Sequence, residues 1–250
     1  MSEAETWALG DYGRLAKRLA PLYDTFVTAL APKAGERWLD VATGTGGVAL
    51  RAARDGAQVT ALDLVAKMLD AARADALKEG LDLELVEADA RAIPFGDESF
   101  DVVSSCLGFG FDDEDAAPLN ELVRVCRRGG RLGILLWRPT PDLDEALRPV
   151  TGSNRIAYEQ STPERAHELL DRQLDIETAV FTWYNEDASP DALYEFTAAV
   201  NPPTAAYLRR VGPEQQERFR EALVGYWRRF VTYNGVRVPS DYLVVTGRKR

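Results

Sequence analysis

Apolar and polar positions fall in alternating blocks along the first 140 residues, and the blocks predict strands and helices in turn. Leu15, Leu19, Leu22, Phe26 and Leu30 recur at helix-like intervals and predict helix over 7–30, broken at Pro21. Short apolar runs predict buried strands over 38–41, 58–62 and 100–106. Alternation of Leu81, Leu83 and Leu85 predicts a strand over 81–86, and 131–137 reads as a fifth. Helical patterns fill 48–54, 65–79 and 116–126. The second carries Met68, Leu69, Ala72 and Ala76 on one face and stops at Gly80, and the third ends at Gly129-Gly130. Strands alternating with helices at this spacing predict an α/β fold, a doubly wound and mainly parallel sheet that binds ligands at the strands' carboxyl ends.

The second half is less regular. Ser161-Thr-Pro-Glu164 has the spacing of a capping box opening a helix through Leu170. A sixth strand is expected over 174–184. Three helices follow over 189–200, 204–211 and 213–231, divided by Asn201-Pro-Pro203 and Gly212-Pro213. The last has an apolar stripe of Phe219, Ala222, Leu223, Tyr226, Trp227 and Phe230. Residues 242–246 predict a closing strand. The acidic run Asp112-Asp-Glu-Asp115 reads as a helix start complementing the dipole rather than as a cation site. No repeat, low-complexity tract or linker interrupts the pattern.

Composition narrows the function classes. At 250 residues the chain suits one large domain, and 46% hydrophobic with 28% charged residues is ordinary for a globular protein. A net charge of −10 argues against general nucleic-acid binding, which needs a basic footprint. Two cysteines, Cys106 and Cys126, make no disulfide framework, and with one histidine no metal-ligand cluster is legible. The opening Met-Ser-Glu-Ala-Glu lacks the basic and apolar regions of a signal peptide, and no apolar run has membrane-spanning length. A cytoplasmic protein without membrane insertion is expected, its oligomeric state not legible.

The chemistry concentrates after the first strand, in Trp38-Leu-Asp-Val-Ala-Thr-Gly-Thr-Gly-Gly-Val48. Gly44 and Gly46, with Thr45 between them, permit a tight turn and close backbone approach to a ligand. The free N–H groups of the following helix favour a carboxylate or phosphate. Asp40 favours S-adenosylmethionine over a dinucleotide, because a carboxylate here would repel a pyrophosphate but suits an ammonium. The plainer alternative is that Asp40 only orders the loop. Asp63 closes the second strand about 20 residues after the glycines, where nucleotide sites place a ribose-binding acid. It also stands where it could cap the next helix. Asp89, in Glu87-Ala-Asp89-Ala90 after the third strand, is a candidate acceptor for the exocyclic amine of adenine.

Five motifs stand in order: Asp40-x-x-x-Gly44-x-Gly46, Asp63, Glu87-Ala-Asp89-Ala-Arg-Ala-Ile-Pro-Phe95, Ser99-Phe-Asp-Val-Val103 and Arg124-Val-Cys-Arg-Arg-Gly-Gly-Arg131. As a set, over about 34–137, they resemble the class I S-adenosylmethionine-dependent methyltransferases, in the group that includes the ubiquinone/menaquinone C-methyltransferases. The resemblance implies a Rossmann-like seven-stranded sheet whose last strand, Tyr242-Leu-Val-Val-Thr-Gly-Arg248, inserts antiparallel between the fifth and sixth. It implies a helical cover over 1–33, a cofactor-binding core over 34–188, a helical lid or acceptor insertion over 189–233 and a closing strand over 234–250. It places Gly44 and Gly46 beneath the cofactor's amino-acid part, Asp63 at its ribose, and Asp89 and Ala90 at its adenine. Leu64 and Met68 would pack around base and ribose, and Cys106 beside the cofactor. Tyr12 or Tyr23 of the cover would reach the methionine carboxylate.

The expected activity is in-line methyl transfer to a small-molecule acceptor, with the quinone substrate not carried over. Trp183, Tyr184, Phe196, Tyr207, Tyr226 and Trp227, with Phe109 and Phe111 after the fourth strand, supply aromatic surface for a planar or hydrophobic acceptor. No general base is legible. Cys106 has no activating partner, and His167 reads as a surface or packing residue. Two rivals remain: a nicotinamide-dependent oxidoreductase, because Gly44-x-Gly46-x-x-Ala49 fits that looser pattern, and a non-catalytic S-adenosylmethionine-binding protein.

Overall fold

A computed structural model describes residues 2–111, 116–153 and 158–250; the acidic run 112–115 lies outside the described residues. The chain begins with helices α1 (Glu3–Trp7), α2 (Tyr12–Arg18) and α3 (Ala20–Leu30). Next come β1 (Arg37–Val41), α4 (Ala49–Arg54), β2 (Gln58–Asp63), α5 (Ala66–Glu79), β3 (Leu83–Glu87), β4 (Phe100–Cys106), α6 (Ala117–Val125) and β5 (Cys126–Trp137). The second half holds α7 (Pro141–Thr151), α8 (Pro163–Leu170), β6 (Leu174–Asp187), α9 (Pro190–Val200), α10 (Pro202–Arg210), α11 (Pro213–Trp227), β7 (Val231–Thr232) and β8 (Gly235–Lys249).

β1 is buried from Trp38 to Val41, as a continuous apolar run covered on both faces requires. The strand order is β3-β2-β1-β4-β5-β8-β6, with β7 paired to β8 alone. β1 to β5 pair in parallel, and β8 runs antiparallel to β5 with Trp137 opposite Tyr242. The expected sheet is therefore present, its last strand inserted next to β5.

By its internal contacts the chain forms two compact units. The sheet unit comprises Leu19–Trp137, Gln160–Phe181 and Tyr242–Arg250, and the second unit Met1–Arg18, Arg138–Glu159 and Thr182–Asp241. These bounds cut across the expected segments, since α3 joins the sheet and 138–159 joins the later helices. In the sheet unit, Leu39, Val41, Val103, Ile134 and Leu136 pack with Leu122 of α6 and Leu170 of α8 in one core. On the other face Leu30 of α3 lies so close to β5 that a Cβ on Gly133 would meet its side chain at 2.7 Å. In the second unit Leu193, Phe219, Leu223, Tyr226 and Trp227 form a separate core with Leu143, Leu147 and Val150 of α7 against it.

Several elements depart from the sequence pattern. The break in 7–30 falls at Leu19, and Pro21 sits in the first turn of α3, where its missing N–H is harmless. The cap of α8 is Thr162, whose hydroxyl accepts from the Arg165 N–H at 3.2 Å. Ser161 is instead fully buried, and its hydroxyl has no hydrogen-bond partner among the described residues. Gly129 and Gly130 do not stop a helix but lie inside β5, near the register shift with β4 between Phe100 and Val102. The sequence pattern gives no element over 141–151, where the structure has α7 with Pro141 in its first turn and Pro149 in its last. β8 begins seven residues before the expected strand, after a two-residue hairpin turn at Tyr233-Asn234 that sets Thr232 of β7 opposite Gly235.

Candidate cofactor site

The carboxyl ends of β1, β2 and β4 stand side by side, with Asp40 paired to Ala61 of β2 and Ser104 of β4. After Val41 the chain turns left-handed at Ala42 (φ 54°), Gly44 (φ 56°) and Gly46 (φ 82°), so three of five residues take a conformation that favours glycine. Hydrogen bonds from the Thr43 N–H to the Leu62 carbonyl and from the Gly46 N–H to the Thr43 carbonyl, each 3.0 Å, close the loop. Gly46 is also packed tightly, since a Cβ there would meet the Ala72 Cβ at 3.1 Å.

Asp40 is 1% exposed. Its carboxylate accepts from the Thr43 hydroxyl at 2.6 Å and the Ser104 hydroxyl at 2.7 Å, and Ser104 accepts in turn from the Trp38 indole N–H at 2.8 Å. Burial pushes the Asp40 carboxyl up to about 6, against the pull of these hydrogen bonds and with Asp63 adding in the same direction. Asp40 thus orders the loop, as its plainer reading expects. Thr43, three residues on, was within reach of sequence reasoning; Ser104 becomes its partner only through strand order.

Asp63 joins the loop to the next helix. One carboxylate oxygen accepts from the Gly44 N–H at 2.7 Å and the other from the Val65 N–H at 2.9 Å. Burial raises its carboxyl above the ordinary value, and the Val65, Gly44 and Leu64 backbone bonds oppose the rise. Leu64 is half-buried and Met68 buried beside it on α5, while Thr45 is half-buried between the two glycines.

Asp89 follows β3 on a loop held from below. Arg124 donates to the carbonyls of Phe95 and Ile93, and Glu121 accepts from the Ile93 N–H. Asp89 is partly exposed and accepts from the Arg91 N–H at 2.8 Å and Nε at 3.0 Å. Burial raises its carboxyl, but the Arg91 backbone and side-chain bonds outweigh it and hold the group below its ordinary value. Ala90 is half-buried, with its side chain against the main core.

Cys106 ends β4. Burial, reinforced by the Asp40 carboxylate, pushes its thiol well above the ordinary value, so it is no nucleophile. Tyr23 of α3 lies over the loop: a Cβ on Gly47 would come within 2.5 Å of its ring, and the Arg51 guanidinium stands 5.3 Å from the ring centre. Phe109 is half-buried against the core, whereas Phe111 is 2% exposed and fills the core itself. Tyr12, Trp183 and Tyr226 belong to the second unit. There Tyr12 meets Trp7 edge to face at 6.2 Å, and Tyr226 is buried with Phe230 at 5.4 Å and Arg229 at 5.1 Å. His167 is on the surface of α8, 3.0 Å from the Asp171 carboxylate. Among the described residues no group of three or more His, Cys, Asp or Glu is placed to hold a metal, and no helix is long and apolar enough to cross a membrane.

Residues 39–130 match the family model of a methyltransferase domain. An uncharacterized protein of Mycobacterium tuberculosis is 45% identical over 132 residues, which are 52% of this chain and 48% of that one. The demethylmenaquinone methyltransferase of Thermus thermophilus is 46% identical over 112 residues, 44% of this chain and 50% of that one. The chain thus spans about half the length of the relatives it matches. Haemonchus contortus phosphoethanolamine N-methyltransferase 2, solved with phosphomonomethylethanolamine and S-adenosylhomocysteine, has 20% identity and a TM-score of 0.57, over 92% of this chain and 52% of that one. At that identity the likeness is one of fold. Motif order, sheet topology and the matched stretch agree: residues 39–130 are similar to a methyltransferase domain, on a fold shared with solved methyltransferases.

Proposed function

We propose that the protein is an S-adenosylmethionine-dependent methyltransferase acting on a small acceptor with an aromatic or hydrophobic body. The observation that carries this reading is the Gly44 N–H bond to Asp63, which ties the left-handed glycine loop to the acid ending β2. The donor set fits the cofactor. The Asp63 carboxylate receives the Gly44 N–H on one oxygen and the Val65 N–H on the other, with Leu64 a third backbone donor, and a carboxylate's four acceptor sites leave one for a ribose hydroxyl. The Asp40 charge at the base of the loop would favour an ammonium, and a cation nearby would draw its raised carboxyl back down. Asp89 would accept the adenine amine on the loop that Arg124 holds.

When bound, S-adenosylmethionine would supply an electrophilic sulfonium methyl for an acceptor lone pair, the carbon–sulfur electron pair staying on sulfur and any acceptor proton passing to solvent. The protein's own part is alignment and exclusion of water, for which well-oriented reactants gain about 7–11 kcal/mol. Neither Cys106, whose buried thiol is held well above its ordinary value, nor His167, on a helix surface, is suited to take a proton from the acceptor.

Thermal unfolding with S-adenosylhomocysteine, beside NADH and NADPH, tests the reading. S-adenosylhomocysteine at a hundredfold excess over its Kd should add about 2.7 kcal/mol to stability. Asp63→Ala should weaken that binding at least tenfold, since a charged hydrogen bond contributes about 1.5–3 kcal/mol. Stabilisation by a nicotinamide cofactor alone would replace the methyltransferase reading with the oxidoreductase.

A further inference from the structure

Three aromatic rings meet at the carboxyl end of β5. The register sets Tyr242 of β8 opposite Trp137 of β5, with ring centres 6.4 Å apart and planes edge to face. Phe181 of β6 stacks on the other side of Tyr242, centres 5.5 Å apart and planes 24° from parallel. All three lie in the sheet unit. Tyr242 is 5% exposed, Trp137 half-buried and Phe181 40% exposed, so the cluster has a buried centre and an open ring.

The cluster is continuous with the cofactor site. Strand pairing sets Asp40 of β1 opposite Ala61 of β2 and Ser104 of β4, Cys106 of β4 opposite Leu135 of β5, and Trp137, two residues on, opposite Tyr242 of β8. The row of strand ends therefore runs from the expected ribose position on β2 through β1, β4 and β5 to the rings on β8. Tyr242 is held between its two neighbours, edge to face against Trp137 and stacked on Phe181, and is itself buried. An open aromatic ring stacked on a buried one is a rigid wall, and rigid aromatic surface binds flat ring systems with little loss of side-chain freedom.

We propose that Trp137 and Phe181, held by Tyr242, form the wall against which a planar aromatic methyl acceptor lies, with Tyr242 as a positioning residue. The inference rests on the methyltransferase reading and names its substrate class. It assigns this class to rings on β5, β6 and β8, not to Phe111 or Tyr226, whose rings are occupied in their own cores.

Binding of 2-naphthol to the protein saturated with S-adenosylhomocysteine tests it, with the saturated analogue decahydro-2-naphthol for comparison. Wild type should prefer the flat compound. Phe181→Ala should lose about tenfold in 2-naphthol affinity, the scale of one aromatic contact, and keep its S-adenosylhomocysteine Kd within about twofold. Tyr242→Leu removes the ring on which Phe181 stacks, and should blunt the preference with unchanged cofactor binding. Equal affinity for the two naphthols in wild type, or no loss in Phe181→Ala, overturns the wall. A change of oligomeric state in Phe181→Ala without a change in 2-naphthol binding assigns the ring to contact between copies instead. Failure of S-adenosylhomocysteine to bind wild type would refute the methyltransferase reading itself, which separates the two failures.

Discussion

Ala42 and Leu107 end neighbouring parallel strands, and both take left-handed conformations, at φ 54° and 60°, without being glycine. Such a residue carries strain of about 1–2 kcal/mol. The residue that needs to be glycine stands beside them: a Cβ on Gly108 would lie 2.5 Å from that of Ala42 and 2.7 Å from the Ser105 hydroxyl. Gly108→Ala should therefore destabilise the protein by about 2 kcal/mol, on the scale of overpacking in a close-packed interior. Ala42→Gly should stabilise it by about 1 kcal/mol, and the double variant should recover most of the Gly108→Ala loss. Urea unfolding of all four proteins closes the cycle; strict additivity would mean that the two Cβ positions do not meet. The chain shows which residues are glycine. It does not show that 42 and 108 touch, because they are 66 positions apart and meet only through the pairing of β1 with β4.

At the scale of the element, caps and breakers were legible in kind and misplaced by a residue or two. Ser161 and Thr162 both have the chemistry of a cap, and the choice between them depends on which backbone turns out of the helix. Thr162 has extended backbone (φ −122°, ψ 155°) and receives the Arg165 N–H, and Ser161 turns inward. Thr162→Ala should cost about 1 kcal/mol, as removal of an N-cap does, and Ser161→Ala should be neutral or stabilising, because its buried hydroxyl makes no bond among the described residues. Greater loss from Ser161→Ala in thermal or urea unfolding would restore the capping box at Ser161. A whole helix, α7, is not legible in the sequence. Pro141 and Pro149 occupy its first and last turns, the places a helix tolerates them, and Leu143, Leu147 and Val150 find a core against α11. Packing against a helix distant in sequence stabilises it, which no local pattern shows.

For the whole molecule the buried acids set a pH response. The Asp40 carboxyl rises from 3.8 to about 6 on folding, and Asp63 rises too, so the native state holds protons more tightly than the unfolded chain at these sites. The stability they contribute is fully present below about pH 4 and is lost as pH rises through about 6. Surface carboxylates such as Glu36 and Asp101 are lowered by their arginine partners and give the opposite slope, so the test is a difference between proteins. Asp40→Asn should gain on wild type by up to about 3 kcal/mol between pH 4 and pH 7, read from urea unfolding across that range. A constant difference over the range would mean that Asp40 does not titrate on folding.

The chain by itself determined the alternation of strand and helix, the burial of β1, and the order of motifs by which residues 39–130 resemble a methyltransferase domain. These are local properties, written in the spacing of apolar residues and in glycines and acids a few positions apart. The tertiary structure alone decided that Ser104 and Thr43 hold Asp40, that Phe111 belongs to the core, and that Trp137, Phe181 and Tyr242 meet at one edge. Such neighbours are brought together by strand order and register. These are set by the burial of the whole sheet against its helices and by no single stretch of sequence.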